Sequence, residues 1–449
     1  MTTPETPSDR PVARRTLSVA MRVGALLLSS GAATDEVEVA MRTIAEASGL
    51  KGVQAIVQFG TISLSYEPSP GAEPITLIRV AHGASTDFAR LAAASDLARR
   101  LVESRMTVDE ALHEVDRIEA LGATYPRVVS ILATGASAGA ATVLFGGGPF
   151  DVAAAAAATI AAEPFVRWLA RSGLPPFFQN ILGPAIATII VLALVFLGLP
   201  ANGPLVVIGA ILIFLPGGAL AAGMRDLIDG SIVSGTARVF EAILLAAAVA
   251  IGVSVGLAVA ATWGPDIAFE LPVLPPWAIA TQAIAAAITC AAIAIRNEVP
   301  RDHIRSIAAV GAIGLVVQRT AMNAGADEVL AATTAAIVIG GLARLLARRH
   351  RTSASIWVAA AILPLVPGRL LVEGLLNAAE GGGEELLLAL LVGFGIGIGS
   401  ALGDVAMATL RNVNRRIVQP VVVAPVAGLV EEGLQRWANR GAGAERRDG

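Results

Sequence analysis

"FLPGGALAAGMRDLIDG" spans Phe214 to Gly230 at the end of a strongly apolar run. Pro216, Gly217 and Gly218 interrupt what would otherwise be one helix across lipid, and Arg225, Asp226 and Asp229 come close behind. Proline removes a backbone donor and clashes with the preceding turn, while glycine relieves the backbone. A break of this kind frees peptide groups that lipid cannot satisfy, so they must face protein, water or a ligand. The stretch has an echo. "VPGRLLVEGLLNAAEG" at 366–381 repeats "LPGGALAAGMRDLIDG" at 215–230 with an offset of 151 (367 minus 216). Pro216/Pro367, Gly217/Gly368, Leu220/Leu371, Gly223/Gly374 and Gly230/Gly381 are identical, and Pro149/Pro300 and Asp151/Asp302 keep the same offset.

Composition places this break in a bilayer. The 449 residues are 55% hydrophobic and 15% charged, with mean hydropathy +0.69. Soluble domains carry about 25% charged residues. Ten apolar segments of bilayer length lie beyond residue 126, at about 127–147, 150–170, 177–199, 203–224, 237–262, 276–295, 303–321, 327–347, 354–378 and 385–410. Five crossings in each half force the second half upside down relative to the first, the inverted repeat common among secondary transporters. The expected fold is therefore an α-helical membrane protein: ten transmembrane helices as two inverted five-helix repeats (126–262 and 276–410), preceded by a soluble α+β domain. Arginines (Lys51 is the only lysine) cluster in alternate loops, which places both termini in the cytoplasm of a plasma-membrane protein.

Residues 1–13 read as a polar, Pro-rich disordered tail with no cleaved signal peptide. Residues 14–122 read as the cytoplasmic α+β domain. Its helices are expected at "RRTLSVAMRVGALLLSSG", ending at Gly31, and at "DEVEVAMRTIAEASG", capped by Thr34. Three short strands, "VQAIVQFG", "TISLSYE" and "ITLIRVA", come next, then helices at about 87–104 and 107–121. Residues 411–449 read as a cytoplasmic tail whose "IVQPVVVAPVAGLV" is too short and Pro-interrupted to span.

Net charge is −3, which gives no basis for nucleic-acid binding. One cysteine, Cys290, and four scattered histidines suggest no disulfide, metal site or cofactor. No P-loop supports ATP hydrolysis. The matched breaks are the strongest sequence pointer to a substrate site. Pro216, Gly217, Gly218, Pro367 and Gly368 are the candidate substrate-binding positions, sharing one polar cavity, with Asn180 as a further ligand or a helix lock. A helix N-terminus there suits a substrate carboxylate. Ionisable residues in the membrane zone are candidates for gating or proton coupling: Asp151, Glu163, Arg225, Asp226, Asp229, Arg238, Glu241 and Asp404. Spacing alone pairs Glu163 with Arg167, Arg225 with Asp229, and Arg238 with Glu241.

Three stretches carry a resemblance. "LLLSSGAATDEVEVAMRTIAEASGL", "LFGGGPFD" and "FLPGGALAAGMRDLIDGSIVSGTARVFEAILLA" resemble, in order, the threonine/serine exporter family over about residues 20–410. The third is the most specific, through Pro216-Gly217, Arg225-Asp226-Leu227, Gly230, Ser234-Gly235, Arg238 and Glu241. Ser30-Gly31, Val37-Glu38, Met41, Gly146-Gly147 and Asp151 match in the other two. The resemblance implies a cytoplasmic N-terminal domain, ten helices, and export of L-threonine and L-serine by the proton-motive force. It implies no enzyme activity; the partners are a small amino acid, protons and the bilayer, with homo-oligomerisation left open. The second half departs from the pattern at Arg369 and in the acidic Gly-rich loop 380–385, which bears on substrate identity. The alternative is a membrane-anchored enzyme or regulatory protein with its activity in the N-terminal domain, where His82, Ser85 and Asp87 lie close in sequence without forming a recognisable nucleophile–base motif.

Overall fold

In the computed structural model, residues 9–81, 86–103, 106–263, 279–368, 370, 374 and 383–418 are described, with side chains to Thr409. The chain opens with α1 (Asp9–Ser29), which starts inside the stretch read as tail and buries Ala13 and Leu17. Gly31, at φ +100°, ends it by turning the chain through a backbone region that L side chains rarely adopt. α2 (Thr34–Ala47) buries Val37, Met41 and Ile44 along one face. A three-stranded antiparallel meander comes next: β1 (Gln54–Gln58), β2 (Thr61–Tyr66) and β3 (Ile75–Val80). Strict alternation on β2 sends Ile62, Leu64 and Tyr66 into the core shared with α1. α3 (Phe88–Val102) is capped by Asp87, and α4 (Val108–Glu119) by a Thr107–Glu110 capping box. His82 and Ser85 lie outside the described residues, and Asp87 is occupied as a cap.

The remainder is a bundle of apolar helices, and the protein is a multi-pass membrane protein. Among the described residues eight helices are long and apolar enough to cross a bilayer. They are α5 (Arg127–Leu144), α6 (Pro149–Arg171), α7 (Pro176–Phe196), α10 (Ile232–Ala261), α11 (Ile279–Arg296), α12 (Arg301–Asn323), α13 (Glu328–His350) and α15 (Glu384–Val418). The bent pair at the first break is long and apolar enough, taken together, to count as a ninth. There α8 (Gly203–Ile211) runs through a 3-10 turn (Leu212–Phe214), stops, and resumes at 49° as α9 (Gly217–Ile228). The matching short helix is α14 (Ser355–Ala361) with its own 3-10 turn, Leu363–Leu365. Most residues between Gly368 and Gly383, among them Asn377, Glu380 and Gly381, lie outside the described residues. The ninth expected crossing, 354–378, is thus described only in its first part. α15 continues past the expected end at 410 to Val418, and its residues beyond Val405 belong to a second compact unit.

The element order repeats. The starts of α6 and α12, α7 and α13, α8 and α14, and α10 and α15 lie 152 residues apart (301 minus 149), and the two 3-10 turns 151 apart (363 minus 212). The corresponding helices α5 and α11 pack on one another, with Gln282 Nε2 donating to the Leu144 carbonyl at 3.0 Å. Small residues make the close approaches. A Cβ on Gly252 of α10 would overlap the Ile181 carbonyl of α7, and one on Gly403 of α15 would overlap the Ile337 carbonyl of α13.

The N-terminal elements bind this bundle through main-chain groups. Phe88 N donates to the Asn297 carbonyl at 3.1 Å, Thr124 N to Glu298 at 2.7 Å, and the Tyr125 hydroxyl to the Val299 carbonyl at 2.6 Å.

Candidate functional site

The two breaks have the same backbone. Leu215 sits at φ −71°, ψ 128° and Val366 at φ −63°, ψ 131°. Each donates its N–H to the residue that opens the preceding 3-10 turn, Leu212 at 3.3 Å and Leu363 at 3.1 Å. An extended residue and then a proline end each first half-helix, because the residue before proline is driven out of the helical region. α9 then begins at Gly217, and its first helical bond runs from Leu220 N to the Pro216 carbonyl at 3.0 Å. The N–H groups of Gly217, Gly218 and Ala219 therefore have no partner one turn back.

The breaks face each other. A Cβ on Gly217 would come within 2.9 Å of Val366, one on Gly218 within 3.6 Å of Ala359, and one on Gly368 within 3.7 Å of Ile208 and Leu212. Each break thus packs on the short helix of the other half. Pro216, Gly217, Val366 and Pro367 together border a cavity of about 390 Å³, completed by α10 and α15. Its side chains, such as Leu220, Ile243, Leu390 and Ile396, are apolar. The shared cavity is present, but it is not the polar one that the sequence suggests; its polarity can come only from main-chain groups.

A second cavity, of about 260 Å³, lies against the first turns of α9. Gly218, Arg225, Arg238, Glu241, Ser355 and Ser400 supply its wall from the helices, and Gly31, Ala33 and Phe88 close it from the N-terminal elements. The predicted charged cluster stands here, with different pairings. Asp226 is fully buried. It accepts from Thr34 N at 3.0 Å and Thr34 Oγ1 at 2.9 Å, and it pairs with Arg238 Nε at 3.3 Å. Arg238 also donates to the Ala32 carbonyl at 3.3 Å. Arg238 is thus taken by Asp226 rather than by Glu241, and Thr34 spends its hydroxyl on Asp226 instead of capping α2. Arg225 meets Asp229 at 3.5 Å, as the spacing predicts, and Asp404 at 2.9 Å; Asp404 in turn meets Arg344 at 3.4 Å. Beside them Glu36 of α2 accepts from Ser353 Oγ at 2.8 Å, and burial pushes its carboxyl above the usual range.

Seven of the predicted residues line neither cavity: Asp226, Asp229 and Asp404 reach the second one only through their pairing with Arg225 and Arg238, Gly368 packs on Ile208 and Leu212, and Asp151, Glu163 and Asn180 are placed elsewhere. Asp151 is a staple: Oδ2 accepts from Gly148 N at 2.7 Å and Oδ1 from Asn202 N at 2.6 Å, tying the start of α6 to that of α8. Glu163 is buried and holds Arg167 at 2.9 Å, as predicted, and also Arg296 of α11 at 3.4 Å. Asn180 is half-buried in the first turns of α7; Pro176, one turn earlier, borders the second cavity instead. Sequence reasoning missed Thr34, Arg344 and Ser353 as members of the cluster. Thr34 and Asp226 are 192 positions apart, and no local pattern joins them. Arg344 carried a visible signal, a cation inside an apolar segment, but it reads equally well as an inner-loop charge.

The same chain is similar in sequence to proteins already described. Residues 18–260 match a family described as "Putative threonine/serine exporter", and residues 282–405 one described as "Threonine/Serine exporter, ThrE". The chain is 29% identical over 416 residues to a "Probable threonine/serine exporter" of Mycobacterium tuberculosis, covering 89% of this chain and 77% of that protein. It is 27% identical over 424 residues to a "Threonine/serine exporter" of Corynebacterium glutamicum, covering 89% and 84%. No solved structure matches.

Proposed function

The chain belongs to the threonine/serine exporter family, and we propose that it is a secondary transporter that moves L-threonine and L-serine out across the plasma membrane, driven by the proton-motive force. The observation that carries this reading is the pair of proline-glycine breaks, 151 residues apart (366 minus 215), each preceded by a residue in the same extended conformation and packed on each other beside two cavities. Ten spans arranged as two inverted repeats account for that pairing, since a two-fold relation brings each break onto its counterpart. Both termini then lie in the cytoplasm, and residues 14–122 form a cytoplasmic domain.

Chemistry favours the second cavity for a zwitterion. The free N–H groups at the start of α9 attract a carboxylate. Glu241, which Arg238 leaves without its expected partner, is placed to take an ammonium group, and Ser355 and Ser400 offer partners for a short hydroxyl side chain. Arg225 and Arg238 line this cavity and pair with Asp404 and Asp226 behind it, and a proton driving export would act on this network.

Flux into and out of proteoliposomes, with a panel of amino acids and an imposed pH gradient, tests the reading. Threonine and serine should exchange and accumulate against their gradients, and a protonophore should stop the accumulation. Equal flux of all solutes down their gradients, indifferent to protonophore, would instead describe a channel.

A further inference from the structure

We propose that the loop joining α1 and α2 is a removable lid on the second cavity, latched by the Asp226–Arg238 pair. The loop contributes Gly31 and Ala33 to the cavity wall. The loop and the first residue of α2, to which it leads, supply three of the polar contacts that satisfy the buried pair: Thr34 N and Thr34 Oγ1 to Asp226, and the Ala32 carbonyl to Arg238. A buried ion pair loses several kcal/mol of hydration per charge and is tolerated only when its remaining donors and acceptors are met. In this chain they are met by a segment from outside the bundle.

Arg238 of this pair lines the cavity, with Asp226 directly behind it, and this makes the latch reversible. If the loop withdraws, Asp226 and Arg238 face an opening that water can enter, and water replaces the three lost hydrogen bonds. Closed and open states then differ by an exchange of partners rather than by a naked buried charge. A pair buried in solid apolar packing would offer no such exchange.

A second contact makes the lid report on both halves of the bundle. Glu36, two residues beyond Thr34, accepts from Ser353, two residues before the start of α14. The start of α2 therefore holds α9 through Asp226 and α14 through Ser353, and these are the elements that carry the two breaks. Docking of the loop closes the cavity on the N-terminal side and fixes both short helices together. The proposal rests on the transport reading for what the cavity carries, but not for the latch itself.

The test uses the full chain in nanodiscs, where both faces are accessible, with Cys290→Ser to remove the buried thiol. Ala222→Cys places a reporter in the cavity wall, and its reaction rate with a water-soluble maleimide reads the open fraction. Thr34→Val should raise the rate about tenfold, the size expected when a hydrogen bond to a charge is lost, and Thr34→Ser should return it to the starting value. Should Thr34→Val fail to give a monodisperse protein, Asp226→Asn reads the same equilibrium and should also speed labelling. Unchanged rates in whichever of these variants fold would overturn the lid. Labelling is measured without substrate, so the two readings fail separately. Faster labelling in a protein that moves no amino acid keeps the latch and removes the transport reading. Unchanged labelling in a protein that exports threonine does the reverse.

Discussion

The two helix breaks share a backbone and differ in almost everything around it. At the first, α9 runs on into Arg225, Asp226 and Asp229, and these bind α10, α15 and the α1–α2 loop. At the corresponding positions of the second half the sequence has Leu376, Asn377 and Glu380, so the buried ion pair has no counterpart. The starts of the short helices differ in the same way. Asn202 is stapled to Asp151 within its own half, whereas Ser353, at the same offset, turns outward to Glu36 of α2. Repetition built the break twice; the Arg225-Asp226 pair stands on one copy only. The charges of the first copy are where the N-terminal elements dock, through Thr34 and Ala32.

Breaking the charged side of this comparison should have the largest effect. Asp226→Ala leaves Arg238 buried without its carboxylate, a loss of about 3–5 kcal/mol. Thermal unfolding should register it as a large drop, and export should be abolished. The double variant Asp226→Ala with Arg238→Ala should recover part of the stability, because the pair and not either residue alone is what burial requires. Additive losses would mean that the two residues act independently.

The shared side is tested by the prolines. Pro216→Ala and Pro367→Ala each allow a backbone bond that the native break forbids, and each should lower threonine flux about tenfold or more without a comparable loss of stability. If the hinges are equivalent, the two variants should match. A defect confined to Pro216→Ala would show that only the charged copy moves.

Packing at the two breaks predicts a smaller asymmetry. A Cβ on Gly217 meets Val366 at 2.9 Å, whereas one on Gly368 finds its neighbours at an ordinary 3.7 Å. Gly217→Ala should cost about 1–2 kcal/mol by overpacking, and Gly368→Ala should be close to neutral in the same denaturation assay.

The smallest effect belongs to Glu36. Its carboxyl is raised by burial, so the folded protein holds a proton that the unfolded chain releases sooner. The stability linked to this group is present in acid and declines as pH rises from the ordinary carboxylate range toward the raised value. Glu36→Gln should flatten that part of the pH–stability curve, with midpoint shifts of under about 3 °C.

Much of this architecture is legible without coordinates. The hinge could be read because proline and glycine act on the backbone of their own residue and the one before it, and the repeat could be read because an offset survives in the sequence. Ion pairs one turn apart were readable for the same reason: Glu163–Arg167 and Arg225–Asp229 form as their spacing requires, because helix geometry alone brings them together. The failures have one cause. Arg238 has Glu241 one turn away and takes Asp226 from another helix; Thr34 has a helix to cap and serves Asp226 across 192 positions.

The sequence by itself located the long apolar helices, the proline-glycine break between α8 and α9, and the offset at which the element order repeats, since composition, period and backbone stereochemistry are local. Only the tertiary structure decided which charges are partners, that the cavity between the breaks is walled by apolar side chains, and that the N-terminal elements contribute to the wall of the second cavity. A buried charge takes whichever partner the packing brings within reach, and packing is a property of the assembled bundle rather than of any one segment.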